Sequence, residues 1–281
     1  MICAAAALAA ALALAACGSS AGTATSTTAA RAADPCASGA QAPPSRVTGA
    51  PLDTILRVPA RARGHRAPLI LALHFATGTG AQMERESRYT GEASRSGFVV
   101  AYPTASANHF WAIDRDLGGL TKTLDAIESV ACVDPARVYV SGISNGGFMA
   151  TVLACRMADR VAAAALFAPG INGIGACAPS RPVPVLEVHG TSDPIVPYRG
   201  VPAFVAGWAG RDGCASRPRA QRRGARVTLL RWPGCRGGAH VEHLRLSGGR
   251  HIELLPQLRA AGVDPAHTAW RFLARHRLPG G

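Results

Sequence analysis

Lysine is almost absent from this chain. Lys122 stands alone among 30 basic residues, and the rest are arginine. High-GC coding produces that bias without selection for binding, so the net charge of +13 does not by itself point to nucleic acid. The densest cluster is Arg217, Arg219, Arg222, Arg223 and Arg226. It has no interleaved aromatics and no nucleic-acid module around it, and it reads as a solvated basic loop. Close Cys or His pairs at ligand spacing are also lacking, so no metal and no other cofactor is expected. No internal repeat and no second domain is visible. The apolar run at residues 4–16 is too short to cross a bilayer as a helix. No Lys or Arg precedes it, which leaves a start upstream of Met1 open.

What is present at the amino end reads as a targeting signal. The run ends in Leu14-Ala15-Ala16-Cys17-Gly18, which resembles the bacterial lipobox, with residues 1–17 as the signal. Acyl chains on Cys17 would replace a transmembrane helix as anchor. The protein is therefore expected to be exported and tethered to the cell envelope. Residues 18–45, rich in Ser, Thr, Ala, Gly and Pro, read as a flexible tether. Six further cysteines follow: Cys36, Cys132, Cys155, Cys177, Cys214 and Cys235. An even number in an exported chain argues for disulfides.

From residue 46 to 281 the composition suits one α/β domain, expected to act as a monomer. Hydrophobic residues make up 48% of the chain, enough to bury a sizeable core. Apolar runs bounded by Gly and Pro recur at 68–74, 98–102, 137–141, 163–167 and 183–189. Continuous runs of this kind belong to a mostly parallel sheet covered by helices on both faces. Helices are expected over 80–95, 116–131, 145–158, 199–209 and 264–276. Asp264 can cap the last, with Pro265 in its first turn. An edge strand is expected at 54–58, and further strands at 227–232 and 241–246.

Gly142-Ile143-Ser144-Asn145-Gly146-Gly147 satisfies G-x-S-x-G between a strand and a helical run. A nucleophile elbow needs small neighbours two residues from the serine so that backbones can pass, and Gly142 and Gly146 meet that need. The turn exposes the hydroxyl of Ser144 and aims a helix N-terminus at a developing oxyanion. A serine needs a general base, and the base an orienter, in the chain order Ser, Asp or Glu, His for an α/β-hydrolase. Asp193 follows the strand at 183–189, at the edge where such sheets place their sites. Asp212 and Asp264 are its rivals, the second better used as a helix cap. His251 follows a Gly-rich loop after the last strand, whereas His240, His243, His267 and His276 lie before or within strands or on a helix.

Taken together, these motifs resemble one family. They are the elbow, His189-Gly190-Thr191-Ser192-Asp193-Pro194, the Gly-Cys and Trp-Pro-Gly-Cys pair at Cys214 and Cys235, Tyr102-Pro103, and Gly249-Arg250-His251. The family is that of the poly(3-hydroxybutyrate) depolymerases and feruloyl esterases, especially its LpqC-type lipoproteins. The resemblance implies an α/β-hydrolase fold and hydrolysis of an ester substrate, small or polymeric, through an acyl-enzyme. Ser144, Asp193 and His251 fall on the triad positions. Asn145 and Ala76 would give the oxyanion hole its N–H groups. Two positions depart from the family pattern. Phe75 replaces the Gly of Leu-His-Gly, and Arg250-His251-Ile252-Glu253 replaces a sequence with a tryptophan after the base.

The resemblance also implies a Cys214–Cys235 bond. Helix geometry suggests Cys132 with Cys155, because Cys155 lies ~16 Å along the helix from Ser144 at 1.5 Å per residue, level with the start of its strand. Cys36 with Cys177 is then left by elimination. A serine peptidase and a non-catalytic surface-binding lipoprotein are the competing readings. No gating domain favours the first, and the intact triad disfavours the second.

Overall fold

In the computed structural model, residues 34–37, 42–173 and 176–280 are described. Residues 33–281 form one compact unit. The expected signal, the lipidation candidate Cys17 and most of the tether lie outside the described residues. Among the described residues, no helix is long and apolar enough to cross a membrane.

Among the described residues, nine strands make one sheet: β1 (Thr54–Arg57), β2 (Ala67–Leu73), β3 (Val99–Pro103), β4 (Val133–Ile143), β5 (Ala163–Phe167), β6 (Val185–Gly190), β7 (Arg219–Arg222), β8 (Val227–Trp232) and β9 (Val241–Leu246). Their order is β1-β3-β2-β4-β5-β6-β9-β8-β7. The six strands from β3 to β9 run parallel, while β1 at one end and β8 and β7 at the other run antiparallel to their neighbours. The parallel strands are apolar along their length because both faces are covered. On one face α3 (Ile113–Val130), α4 (Asn145–Arg156) and α5 (Val201–Arg211) pack. On the other lie α1 (Gly80–Ser87), α2 (Tyr89–Ser96), α6 (Leu254–Ala260) and α7 (Pro265–Leu273).

Several boundaries differ from the sequence reading for identifiable reasons. The helix expected over 80–95 is two helices, broken where Arg88 takes a left-handed φ of 60°. Strand β7 is wholly exposed, with Ala220 its one apolar residue, so it carries no apolar run. It turns the expected basic loop into an edge strand, where the charge of Arg219 and Arg222 discourages pairing with another chain. The closing helix begins as expected: the Asp264 side chain accepts the His267 N–H, and Pro265 takes the first turn.

The disulfides require a correction. Cys214 pairs with Cys235, but Cys36 pairs with Cys132 and Cys155 with Cys177. The Cys132–Cys155 expectation assumed a straight strand. Between Ala67 and Leu69 of β2, the partner on β4 jumps from Val133 to Val138. This bulge sets Cys132 beside the start of β2, where its carbonyl accepts the Ala67 N–H. Cys155, in the last turn of α4, meets the long connection after β5 instead. The segment read as a free tether is thus fastened at Cys36. Its end is also laced to the edge, since the Leu56 N–H donates to Ser45 O. Non-reducing peptide mapping is expected to yield these three pairs and no 132–155 cross-link. Cys36→Ser with Cys132→Ser, which opens the longest loop, is expected to cost about 2–5 kcal/mol in denaturant unfolding.

Candidate active site

Strand β4 runs directly into α4 at Ser144, which has φ 56° and ψ −117°. A positive φ on a non-glycine residue is strained, and such strain clusters at reactive turns. The turn is possible because its neighbours lack side chains. A Cβ on Gly142 would lie 2.2 Å from Gly146 O, and one on Gly146 would lie 2.2 Å from Leu73 O. The half-buried Ser144 hydroxyl is left at the carboxyl edge of the sheet.

The other two candidates converge there from loops after β6 and β9. The Ser144 hydroxyl donates to His251 Nε2 at 2.8 Å, and His251 Nδ1–H donates to Asp193 Oδ2 at 2.6 Å. Both His251 and Asp193 are buried. Asp193 Oδ1 accepts the N–H groups of Ile195 and Val196 at 2.9 and 2.8 Å. The acid and base loops are laced directly to each other. Ser192 N–H donates to Gly249 O at 2.9 Å, and Gly248 N–H to the Thr191 hydroxyl at 2.8 Å. Gly190 permits this contact, since a Cβ there would stand 2.2 Å from Gly249 O.

Asn145 opens α4, so its N–H has no partner within the helix. Among the described residues, no acceptor meets the N–H of Ala76. Phe75 needs no glycine-like backbone: the positive φ in this loop falls on Thr77, at 62°. Phe75 itself is therefore accommodated without a left-handed backbone.

A brace that sequence reasoning missed holds this region. Trp111 Nε1–H donates to His74 O at 2.9 Å, while the Asn145 side chain accepts the Trp111 N–H at 2.7 Å and returns a bond to Trp111 O at 3.2 Å. His74 Nδ1–H donates to Phe75 O at 2.7 Å, and its Nε2 accepts the Ala105 N–H at 3.0 Å. That arrangement needs a neutral ring, and burial pushes His74 down to about 4. Asp116 ties the same loop by accepting from Ser106 and from the Ala112 N–H. Burial pushes its carboxyl up, but these hydrogen bonds hold it below the ordinary range. Trp111 and Asp116 carry no motif. Their only signal is a large aromatic in a loop between apolar runs and an acid in the first turn of the helix that follows.

Asp212, the rival acid, caps the end of α5, where it accepts the Val183 N–H at 3.1 Å, ahead of β6 rather than after it. It lies at the amino-terminal end of that strand and away from Ser144. A pocket of about 250 Å³ borders the elbow and acid loops, lined by Gly170, Ile171, Ile195, Val196, Pro197 and Arg199 among others. Gly170 N–H donates to Ser144 O at 3.1 Å, so this pocket shares a wall with the elbow.

A parallel sheet with helices on both faces, an elbow after a central strand, and acid and base loops after later strands define the α/β-hydrolase fold. The acetyl xylan esterase from Aspergillus awamori superposes with a TM-score of 0.61 at 18% identity, covering 79% of this chain and 98% of that one. Est1E from Butyrivibrio proteoclasticus, solved with ferulic acid, gives 0.55 at 14% identity, covering 82% and 99%. Residues 52–203 match the family described as "Esterase PHB depolymerase", and the chain belongs to it. Feruloyl esterase B of Piromyces equi is 31% identical over 254 residues, 80% of this chain and 45% of that protein. The bifunctional acetylxylan esterase/xylanase XynS20E of Neocallimastix patriciarum is 31% identical over 195 residues, 66% of this chain. The chain spans less than half the length of either relative, 45% and 29%.

Two outcomes test this geometry. Gly190→Ala is expected to push the acid and base loops apart and lower kcat by about tenfold or more, since small misplacements near reacting groups are costly; steady-state kinetics with thermal melts check it. Burial pushes the Asp212 carboxyl up to about 6, against the Val183 N–H and nearby arginines that pull it down. The folded chain therefore holds this proton more tightly than the unfolded chain. Its stabilising effect is full below the ordinary carboxylate range and is lost as pH rises through about 6. Asp212→Asn is expected to leave activity within about twofold, since the site is remote. Relative to wild type its unfolding free energy is expected to be higher at pH 8 than at pH 5.

Proposed function

We propose that this chain is an exported serine esterase that hydrolyses carboxylic esters through Ser144, His251 and Asp193. The observation that carries this reading is the unbroken hydrogen-bond path from the Ser144 hydroxyl through His251 to Asp193. A hydroxyl is a weak nucleophile at neutral pH, and a histidine oriented by a carboxylate supplies the missing base. His251 Nε2 takes the proton as Ser144 Oγ attacks the ester carbonyl. The N–H groups of Asn145 and Ala76 hold the oxyanion. His251 then gives its proton to the leaving alcohol, activates water against the acyl-enzyme, and returns the proton to Ser144 as the acid departs.

The substrate is an ester with an apolar or aromatic part. Among the described residues, three large apolar side chains stand well exposed: Phe110, Ile195 and Ile252, at 49%, 56% and 80%. Each sits within two positions of a residue of the site: Trp111, Asp193 or His251. Exposed apolar surface gathered around one site favours a ligand that covers it. The names of the relatives, feruloyl and acetylxylan esterases, fit the same chemistry. Three disulfides agree with an oxidising compartment. In this reading Cys17 carries the lipid anchor, and residues 46–281 are the catalytic domain of a monomer.

Ser144→Ala is expected to lower p-nitrophenyl ester hydrolysis by at least about 10⁴-fold and to abolish fluorophosphonate labelling, with an unchanged thermal midpoint. Undiminished turnover in a pure sample would remove Ser144 from the mechanism. Across feruloyl, p-nitrophenyl and 3-hydroxybutyrate esters, Ile195→Ser and Ile252→Ser are expected to raise KM most for the most apolar substrate and to leave kcat close to wild type.

A further inference from the structure

Beneath the triad, on the face of the sheet covered by α5, lies a cluster of titratable side chains that the proposed reaction does not use. Glu187 on β6 and His243 on β9 are register partners, and His189, two residues on, points to the same face. All three are at most 1% exposed. His189 Nδ1 lies 2.8 Å from Glu187 Oε1. Its Nε2 lies 3.0 Å from Val196 O and 3.2 Å from Asp193 Oδ2, the oxygen that also serves His251. His243 Nδ1 stands 2.5 Å from Glu187 Oε2, and its Nε2 meets the Tyr198 hydroxyl at 2.9 Å.

The proton count follows from which atoms can only accept. A carbonyl always accepts, and an ionised carboxylate has no donor. Asp193 takes N–H groups from Ile195, Val196 and His251, so it is ionised. His189 Nε2 faces only acceptors and must carry a proton. Its Nδ1 faces Glu187, so the two share one further proton. Charge decides where that proton sits. Arg245, the register partner of His189, brings one positive charge to the cluster beside Tyr198. The net charge is the same with the proton on either group, but on His189 it sits between two carboxylates, Asp193 at Nε2 and Glu187 at Nδ1, while an ionised Glu187 faces two imidazoles. Burial alone would push Glu187 up and His189 down. The imidazoles facing Glu187 nevertheless hold it below its ordinary range, and the Glu187 carboxylate holds His189 above its own.

We propose that Glu187 and His189 are positioning residues for the triad: Glu187 keeps His189 doubly protonated, and the His189 imidazolium, held by Val196 O and 3.2 Å from Asp193 Oδ2, fixes the Asp193 carboxylate electrostatically in the orientation that serves His251. The role in turnover rests on Ser144 being the nucleophile; the protonation of His189 does not. Removing the pair's charges leaves a neutral His189 beside Asp193, which holds the carboxylate less strongly than an imidazolium does. It also removes a positive charge that opposes the charge His251 gains during reaction.

Ring-¹⁵N histidine NMR on the whole protein reads His189 directly. In wild type both its ring nitrogens are expected to be protonated at about pH 8, where an ordinary histidine, with a pKa near 6.5, is neutral. In Glu187→Gln one proton is expected to be lost. The same variant, counted by fluorophosphonate titration, is expected to show kcat lowered about tenfold, the scale on which groups that orient a functional side chain act. KM is expected to stay unchanged and the acid limb of kcat/KM to move to higher pH. Glu187→Asp should restore part of both. A singly protonated His189 in wild type overturns the proposal without any variant having to fold. So does a Glu187→Gln enzyme with the kcat and acid limb of wild type. A wild-type chain inert toward every ester would instead overturn the serine-esterase reading, and the NMR result would still decide the state of His189.

Discussion

Ser144 occupies a backbone conformation that costs an ordinary residue on the order of 1–3 kcal/mol, and the reactive end of the sheet is arranged around it. Its N–H donates to Phe167 O, and its carbonyl accepts from Phe148 and Gly170. At about 1 kcal/mol each, three such bonds offset the strain. Two glycines whose Cβ positions are already filled by backbone let β2, β4 and α4 pack closely around the same turn. The same crowding holds the start of α4 against the loop after β2. Any relaxation of Ser144 would therefore disturb both candidate oxyanion donors along with the nucleophile.

Electrostatics follow from the burial that this packing enforces. Asp193 is buried, so its carboxylate needs donors, which Ile195, Val196 and His251 supply, and His189 stands beside it at 3.2 Å. His189 in turn is held against Glu187. His74, by contrast, sits where a neutral ring is required, because its Nε2 must accept from Ala105. One histidine in a buried network is thus pushed toward charge and another away from it, each by the acceptors and donors it faces.

The exposed arginine edge and the cross-links lie outside the triad loops. The arginines of β7 line an exposed edge, and the three disulfides among the described residues tie segments around the sheet rather than the triad loops themselves. Those loops depend instead on backbone contact through Gly190 and on the brace from Trp111 and Asp116. The apolar rim formed by Phe110, Ile195 and Ile252 belongs to the same loops, which joins the proposed substrate preference to the elements that hold the reacting groups.

Local sequence carried a good deal of this. Apolar runs located the buried parallel strands, because strands covered on both faces cannot alternate. The glycines around Ser144 marked the elbow, because only missing side chains let those backbones pass. Chain order then singled out Asp193 and His251 as partners for it. Other features depend on contacts between residues far apart in the chain. The pairing of Cys36 with Cys132 hinges on a bulge in β4 that no local pattern announces. Strand β7 exists only through its bonds to β8. Glu187 reads as one charge in an apolar run, and its meaning appears only when β9 brings His243 opposite it and the acid loop folds Asp193 over His189. Backbone sterics and apolar periodicity are written residue by residue. The protonation of a buried cluster and the partner of a cysteine are settled by which distant atoms the fold places within about 3 Å of each other.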